Sequence, residues 1–266
     1  MSVQPRPPLD VSALEGLAPW RRIDVVEETG STNADLLRRA AAGEDIAGAV
    51  LLAEYQNSGR GRHGRSFTAP PRSLIAMSVA IGTADVPSDA WGWLPLLTGV
   101  AVVDALAQTC SVQAGLKWPN DVLVGDGKLA GILTEVAAPA PVIVVGCGLN
   151  VSLSAEEAPD PRATSLAMLG HPDVDRTALV RAILDALAQR VQRWRAAGGA
   201  DEQLALDYRT RSATLGTRVR ASLPGDTELV GLATDIDTYG RLVIDDGHTA
   251  TTVAAGDITH LRPAPQ

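Results

Sequence analysis

Cysteine is nearly absent from the chain: Cys110 and Cys147 are the only two among 266 residues. Neither belongs to a close Cys/His cluster, which argues against a disulfide framework or a structural zinc site and leaves both to be read as small buried hydrophobes. Long apolar runs are missing as well. No stretch of about 18 apolar residues occurs, and the opening MSVQPRPPLD lacks a charged-then-apolar leader pattern, so neither membrane insertion nor export is indicated and the cytoplasm is the expected compartment. Positive charge is in deficit, with 23 Lys and Arg against 31 Asp and Glu and a net charge of −8. A face built for polyphosphate normally makes its whole domain basic, so general binding to nucleic acid or anionic membranes is not expected. Internal repeats, low-complexity tracts and the GxxxxGK[ST] phosphate loop are also lacking.

With 45% hydrophobic residues, the chain can bury a sizeable core and fits one large domain or a large one with a small one. After a Pro-rich, irregular lead-in over residues 1–20, residues 23–28 read as a strand. A helix follows that Ser31, Thr32 or Asn33 can cap, with Ala34, Leu37 and Ala41 at helical spacing and Gly43 as its stop. Apolar runs of strand length at 49–55 and 73–81 flank a charged loop. Residues 92–109 predict a long, mostly buried helix with Pro95 in its first turn. LKWPNDVLV and KLAGILTEV form a hairpin about Gly125-Asp126-Gly127, and 141–153 supplies another strand. AEEAPDPRATSL is acidic and Pro-broken, a surface loop, before two amphipathic helices over 175–197 and 201–211. The remainder switches to short alternating strands with turns at Pro224-Gly225, Tyr239-Gly240 and Asp246-Gly247, the pattern of a small β-barrel. The expected division is residues 1–213 and 214–266, with the boundary near Ala213.

Three segments carry chemistry. In Gly59-Arg60-Gly61-Arg62-His63-Gly64-Arg65, glycines alternate with arginines, so the backbone can approach an anion while guanidinium groups grip phosphate oxygens. Composition alone fits a solvated basic loop equally well. KWPNDVLV sets Lys117, Asn120 and Asp121 around a rigid Trp118-Pro119 turn, which by itself also suits an ordinary loop with an anchoring aromatic. Lys128 opens an apolar strand, where a buried ammonium would need a carboxylate or phosphate partner.

Taken in order, STN, EYQNSGRGRHGRSF, KWPNDVLV, GKLAGILTE and GCGLNV resemble the biotin protein ligases, also called biotin–acetyl-CoA-carboxylase ligases, over residues 28–262. The resemblance implies an α+β fold: a mixed β-sheet catalytic domain packed with helices, of the class II synthetase-like biotin/lipoate ligase type, plus a small C-terminal SH3-like β-barrel. It implies a two-step reaction, in which biotin and ATP give biotinoyl-5′-AMP and pyrophosphate, and a lysine of a biotin carboxyl carrier domain of an acyl-CoA carboxylase then attacks the mixed anhydride. By resemblance Lys128 touches both the biotin carboxylate and the α-phosphate, Arg62 and Arg65 close over the adenylate, and Arg60 with Gly61 contacts it from the biotin side. Ser31, Thr32, Asn33 and Gln56 read the ureido ring by hydrogen bonds. Lys117, Asn120 and Asn150 complete the nucleotide side, with Mg²⁺ carried by ATP near Asn150 rather than by a dedicated protein site. Phe67 stands where the family often has a tryptophan that stacks on adenine, His63 where arginine is common. Asp121 is placed near the acceptor lysine, which must lose its proton.

Many relatives carry an N-terminal winged helix-turn-helix, whereas the catalytic pattern here begins by about Ile23, so no DNA binding is expected. A monomer or a weak, ligand-dependent homodimer is the expected state. The alternative within the fold is a lipoate or octanoate ligase or transferase, whose members generally lack GRGRxGR and KWPND. The arginine loop is expected to be mobile when free and ordered by the adenylate.

Overall fold

Strands β1 (Arg22–Thr29), β2 (Ala49–Gln56), β3 (Leu74–Gly82), β4 (Gly115–Lys117), β5 (Asp121–Val124), β6 (Gly127–Ala137) and β7 (Val142–Asn150) form one mixed sheet in the order β1-β2-β3-β7-β6-β5-β4. The β1/β2 pair is parallel and every other pair antiparallel. These come from a computed structural model that describes residues 6–139, 141–223, 227–254 and 256–261; the first five residues of the lead-in and the Pro224-Gly225 turn lie outside it. The helices are α1 (Val11–Leu14), α2 (Thr32–Ala41), α3 (Trp93–Cys110), α4 (Arg176–Ala196) and α5 (Glu202–Arg211).

The central strands are apolar throughout, yet alternation gives the sheet two unlike faces. One carries Val50 and Leu52, then Ile75, Met77, Val79 and Ile81, then Ile143, Val145, Cys147 and Leu149, all buried in the main core with α3 and α4. Together with the helical turn before it, α3 makes a stretch, Ser88–Cys110, long and apolar enough to span a membrane by length and composition alone, but here α3 is the centre of that core, with Leu94, Leu97, Val100, Ala101, Val102 and Leu106 at zero exposure. Pro95 sits in its first turn, where no intrahelical N–H is required. The opposite face carries Ala53, Ala76, Ser78, Gly146 and Gly148, and packs against α2 at one end only.

The lead-in is less irregular than its prolines predict. Asp10 caps the short α1, and Leu9 and Leu14 are buried. A buried ion pair explains the docking: Arg176 donates to Glu54 at 2.6 Å and to the Pro7 carbonyl at 2.7 Å, while the Leu9 N–H donates to Glu54 at 2.6 Å. Two charges removed from water persist only when paired and hydrogen-bonded, and here the chain's own lead-in supplies part of that satisfaction.

The second sheet is antiparallel, with β8 (Arg218–Leu223), β9 (Thr227–Ile236), β10 (Leu242–Asp245), β11 (Ala250–Val253) and β12 (Asp257–His260) in the order β11-β10-β9-β8-β12. Two buried indoles hold it to the first: Trp93 Nε1 donates to the Thr238 carbonyl at 2.9 Å and Trp118 Nε1 to the Gly240 carbonyl at 3.0 Å. Each ring fills apolar space while its N–H finds a partner across the seam.

Candidate active site

Register places one small residue beside another across the open face. Ala53 pairs with Ala76, Ala76 with Gly148, Gly148 with Gly131, and Gly131 with Asp121. Along this row four neighbouring strands contribute no side chain beyond a methyl, so a trough floor of small residues runs across the sheet to the Asp121 carboxylate, with the Phe67 ring lying over it at Gly148. A flat ring and an aliphatic chain would fit such a floor by contact with backbone and methyl groups.

One end of the trough is polar and buried. Ser31 accepts from the Ala34 N–H as N-cap of α2, so the first turn of the helix opens at this place. Thr32 donates to Gln56 Oε1 through its backbone N–H at 2.8 Å and its hydroxyl at 3.0 Å. Asn33 lies directly over Gly146, where a Cβ would overlap its amide, and is 3% exposed. Its Nδ2 donates to Glu135 Oε2 at 2.8 Å, and Ser78 Oγ sits 2.6 Å from its Oδ1.

The other end is charged. Lys128 Nζ lies 2.6 Å from Asp121 Oδ1. Lys128 and Gly131 are three residues apart and would fall on opposite faces of a regular strand. Opposite β5, however, Val122 pairs with Ala130 and Leu123 with Lys128, so Leu129 is an extra residue in β6. This bulge turns Lys128 to the trough side, where its Nζ would stand 3.2 Å from a Cβ on Gly131; the absent side chain leaves the ammonium its room. The acidic loop expected on the surface does not stay there at its far end. The Lys128 N–H donates to the Arg162 carbonyl at 2.6 Å, the Thr164 N–H returns to the Lys128 carbonyl at 2.9 Å, and Thr164, Ser165 and Leu166 are buried. Asn150 belongs to this support: it is 5% exposed and donates to the Thr164 carbonyl at 2.9 Å.

The arginine loop spans the middle. It closes on itself through Phe67 N–H to Gly59 O at 2.8 Å, Gly61 N–H to Arg65 O at 2.7 Å and an antiparallel bridge between Arg60 and Ser66. Gly59 is required there, because a Cβ would run into the Phe67 carbonyl. Phe67 anchors the loop: its ring lies on Gly148 and packs with Ala53, Leu74 and Ala76. The arginines diverge. Arg60 approaches Glu135 at 3.9 Å, Arg62 donates to Asn120 Oδ1 at 3.3 Å and to the Gly256 carbonyl at 3.4 Å, and Arg65 is exposed. Asn120 in turn donates to the Ile132 carbonyl at 2.9 Å, and its N–H bonds the Lys117 carbonyl at 3.2 Å, so the KWPND turn is tied to β6. Arg62 therefore links the loop, that turn and the second sheet.

Ser78, Glu135, Gly146 and Gly148 were not among the residues singled out from sequence. The spacing of Gly146 and Gly148, two apart on a strand, was the available signal, since it puts both on one face. Among the described residues no three His, Cys, Asp or Glu side chains converge as metal ligands would.

The profile of the Biotin/lipoate A/B protein ligase family matches residues 26–151, and that of the Biotin protein ligase C terminal domain matches 214–261. The chain is 52% identical over 265 residues to the biotin–[acetyl-CoA-carboxylase] ligase of Mycobacterium tuberculosis, covering 97% of each chain. It is 29% identical to the bifunctional ligase/repressor BirA of Bacillus spizizenii, covering 88% of this chain and 72% of that one. Biotin protein ligase from Aquifex aeolicus in complex with biotin and ATP shares the fold, with a TM-score of 0.78 at 23% identity over 91% of this chain and 100% of that one. The strand register, the trough and these matches together place the chain in the biotin protein ligase family.

Proposed function

We propose that the chain activates biotin as biotinoyl-5′-AMP and transfers it to a lysine of a biotin carboxyl carrier domain of an acyl-CoA carboxylase. The observation that carries this is a trough without side chains that ends on a lysine–carboxylate pair. Biotin's fused rings take the place over Ala76 and Gly148 that the Phe67 ring fills in the free chain, so the loop shifts as biotin enters, with the ureido group against Ser31, Thr32, Asn33 and Gln56, and its carboxylate reaches Lys128.

The first step brings a carboxylate against the α-phosphate of ATP, two anions that repel unless a cation stands between them. In the free chain Asp121 holds Lys128. The biotin carboxylate takes over that partner, and Lys128 then neutralises charge on both reacting groups. Arg62 and Arg65 close over the adenylate, Arg60 faces the biotin side, and Lys117 and Asn120 line the nucleotide side together with Phe67. Asn150 acts by holding the segment that fixes Lys128. Mg²⁺ supplies charge neutralisation on the triphosphate when bound. Once Lys128 has left it, Asp121 is free to accept the proton of the acceptor lysine, whose nitrogen attacks the acyl carbon and expels AMP. Two sheets with a boundary near Ala213 fit a ligase domain and a smaller domain that reaches the loop through Gly256. The charge balance and the reaction both fit a cytoplasmic enzyme.

A lipoyl or octanoyl substrate fits less well. The buried hydroxyls and amides at the polar end would face a group without N–H donors, and a site built for hydrogen bonds rejects an analogue that lacks them. The test is to incubate the chain with labelled biotin, ATP and a carrier domain and to look for label on the carrier. Lys128→Ala is expected to cut biotin-dependent pyrophosphate release on the order of 10²–10³-fold. Wild-type rates in that variant would remove Lys128 from the mechanism.

A further inference from the structure

We propose that Glu135 is a positioning residue for biotin: an anion that fixes the direction of a buried hydrogen-bond chain, so that the polar end of the trough demands an N–H donor. This rests on reading the trough as a biotin site. Glu135 Oε2 and the Leu133 carbonyl, at 2.8 and 3.2 Å, both face Asn33 Nδ2. A carboxylate and a carbonyl can only accept, so the amide nitrogen is held on that side and Asn33 Oδ1 is turned toward Ser78. At the far end the Thr32 backbone N–H, which can only donate, fixes Gln56 with its Oε1 inward. Between these two carbonyl oxygens stand two hydroxyls. Ser78 Oγ is 2.6 Å from both Asn33 Oδ1 and Thr32 Oγ1, and Thr32 Oγ1 is 3.0 Å from Gln56 Oε1.

Three contacts therefore share two hydroxyl protons. The Thr32 N–H already serves Gln56 Oε1, so neither carbonyl is bare, but every donor of the chain is spent within it, and it is buried, with Ser78 at 0% and Thr32 and Asn33 at 3% exposure. Lone pairs remain on these oxygens and no donor does, so a buried ligand that brings an N–H is favoured and one that brings only lone pairs is not. A ureido N–H of biotin is such a donor. Without the negative charge at residue 135 the restraint weakens: only the Leu133 carbonyl at 3.2 Å still opposes a turn of the Asn33 NH₂ toward Ser78, which would supply a proton from within and reduce the demand. Arg60, 3.9 Å from the other carboxylate oxygen, couples the same anchor to the loop.

The test is calorimetric titration of the full chain with biotin, with biotin methylated on a ureido nitrogen, and with ATP, for wild type, Glu135→Gln and Glu135→Asp, with thermal unfolding as a check on folding. Glu135→Gln is expected to raise the biotin Kd about 10–100-fold, the scale of a hydrogen bond to a charged group, while the ATP Kd stays at its wild-type value. The penalty for methylation is expected to shrink in that variant and to persist in Glu135→Asp, which keeps the charge. The proposal is overturned if Glu135→Gln binds biotin like wild type, if biotin and ATP binding fall together as a merely structural role would give, or if both variants lose the methylation penalty equally. Should Glu135→Gln not fold, loss of the penalty in Glu135→Asp alone overturns it. A wild-type chain that binds no biotin is a different failure, which sinks the reading of the trough itself.

Discussion

The two faces of the seven-stranded sheet are made by the same strands from alternate residues, and they are built to opposite ends. The triplet Gly146-Cys147-Gly148 holds both in three residues: Cys147 enters the core beside Val145 and Leu149, while its neighbours leave space for Asn33 and Phe67. On the core face, volume stabilises, because each buried methylene removes apolar surface from water and fills close-packed space. On the trough face the absence of volume is what matters, because a Cβ on either glycine would run into the Asn33 amide or the Phe67 ring. Residues with the same burial can therefore answer to different demands, and substitutions should separate them.

The sharpest break is expected from Gly148→Val, which should abolish biotin binding measured by calorimetry while the far-ultraviolet spectrum stays native. Biotin binding at wild-type affinity would show that the trough is not the binding floor. Next comes Ile75→Ala on the core face, expected to cost about 2–5 kcal/mol of unfolding free energy in urea denaturation with the biotin Kd unmoved. A change in Kd with stability intact would reverse the assignment of the faces. A smaller effect concerns the seam between the sheets, where Thr214 Oγ1 lies 3.1 Å from His260 Nε2. Burial, and secondarily the charge of Lys117, hold the His260 pKa below its ordinary 6.5. The unfolded chain thus takes up a proton first as pH falls, so this group removes stability progressively below pH 6.5 and contributes none above it. His260→Gln should flatten the dependence of Tm on pH in that window; an unchanged slope would show that other groups set it. The smallest expected effect is none at all: burial pushes the Cys147 thiol up to about 12, so iodoacetamide at pH 8 should leave it unmodified until the chain is denatured.

The elements were legible because their signals are local. The helix at Thr32–Ala41 has its Ser31 cap and Gly43 stop in plain view, and the apolar runs of β2, β3 and β7 have strand length. The ends of the site were legible too, since STN, the arginine loop and Lys128 are unusual in composition or order. Three things were not. The trough floor needs the register between four strands, which no single run encodes. The inward turn of Thr164 to Leu166 is set by backbone bonds to Lys128 and by Asn150, not by the composition of an acidic loop. The anchoring of the arginine loop was missed because Phe67 counted as a partner for adenine, whereas its ring has the floor of the sheet beneath it.

The extra residue at Leu129 has a consequence for how this site can be lost. The aim of Lys128 is set by the number of residues between it and Gly131, so it does not depend on which side chain stands at 129. A point substitution there can loosen the core, where Leu129 is fully buried, but it leaves the count intact. A one-residue insertion beside it does the reverse: with the single bulge kept, the ammonium turns to the opposite side of the sheet, among aliphatic side chains, whereas deleting Leu129 restores regular pairing and leaves Lys128 on the trough side. Along this strand the chemistry is more exposed to changes in length than to changes in spelling.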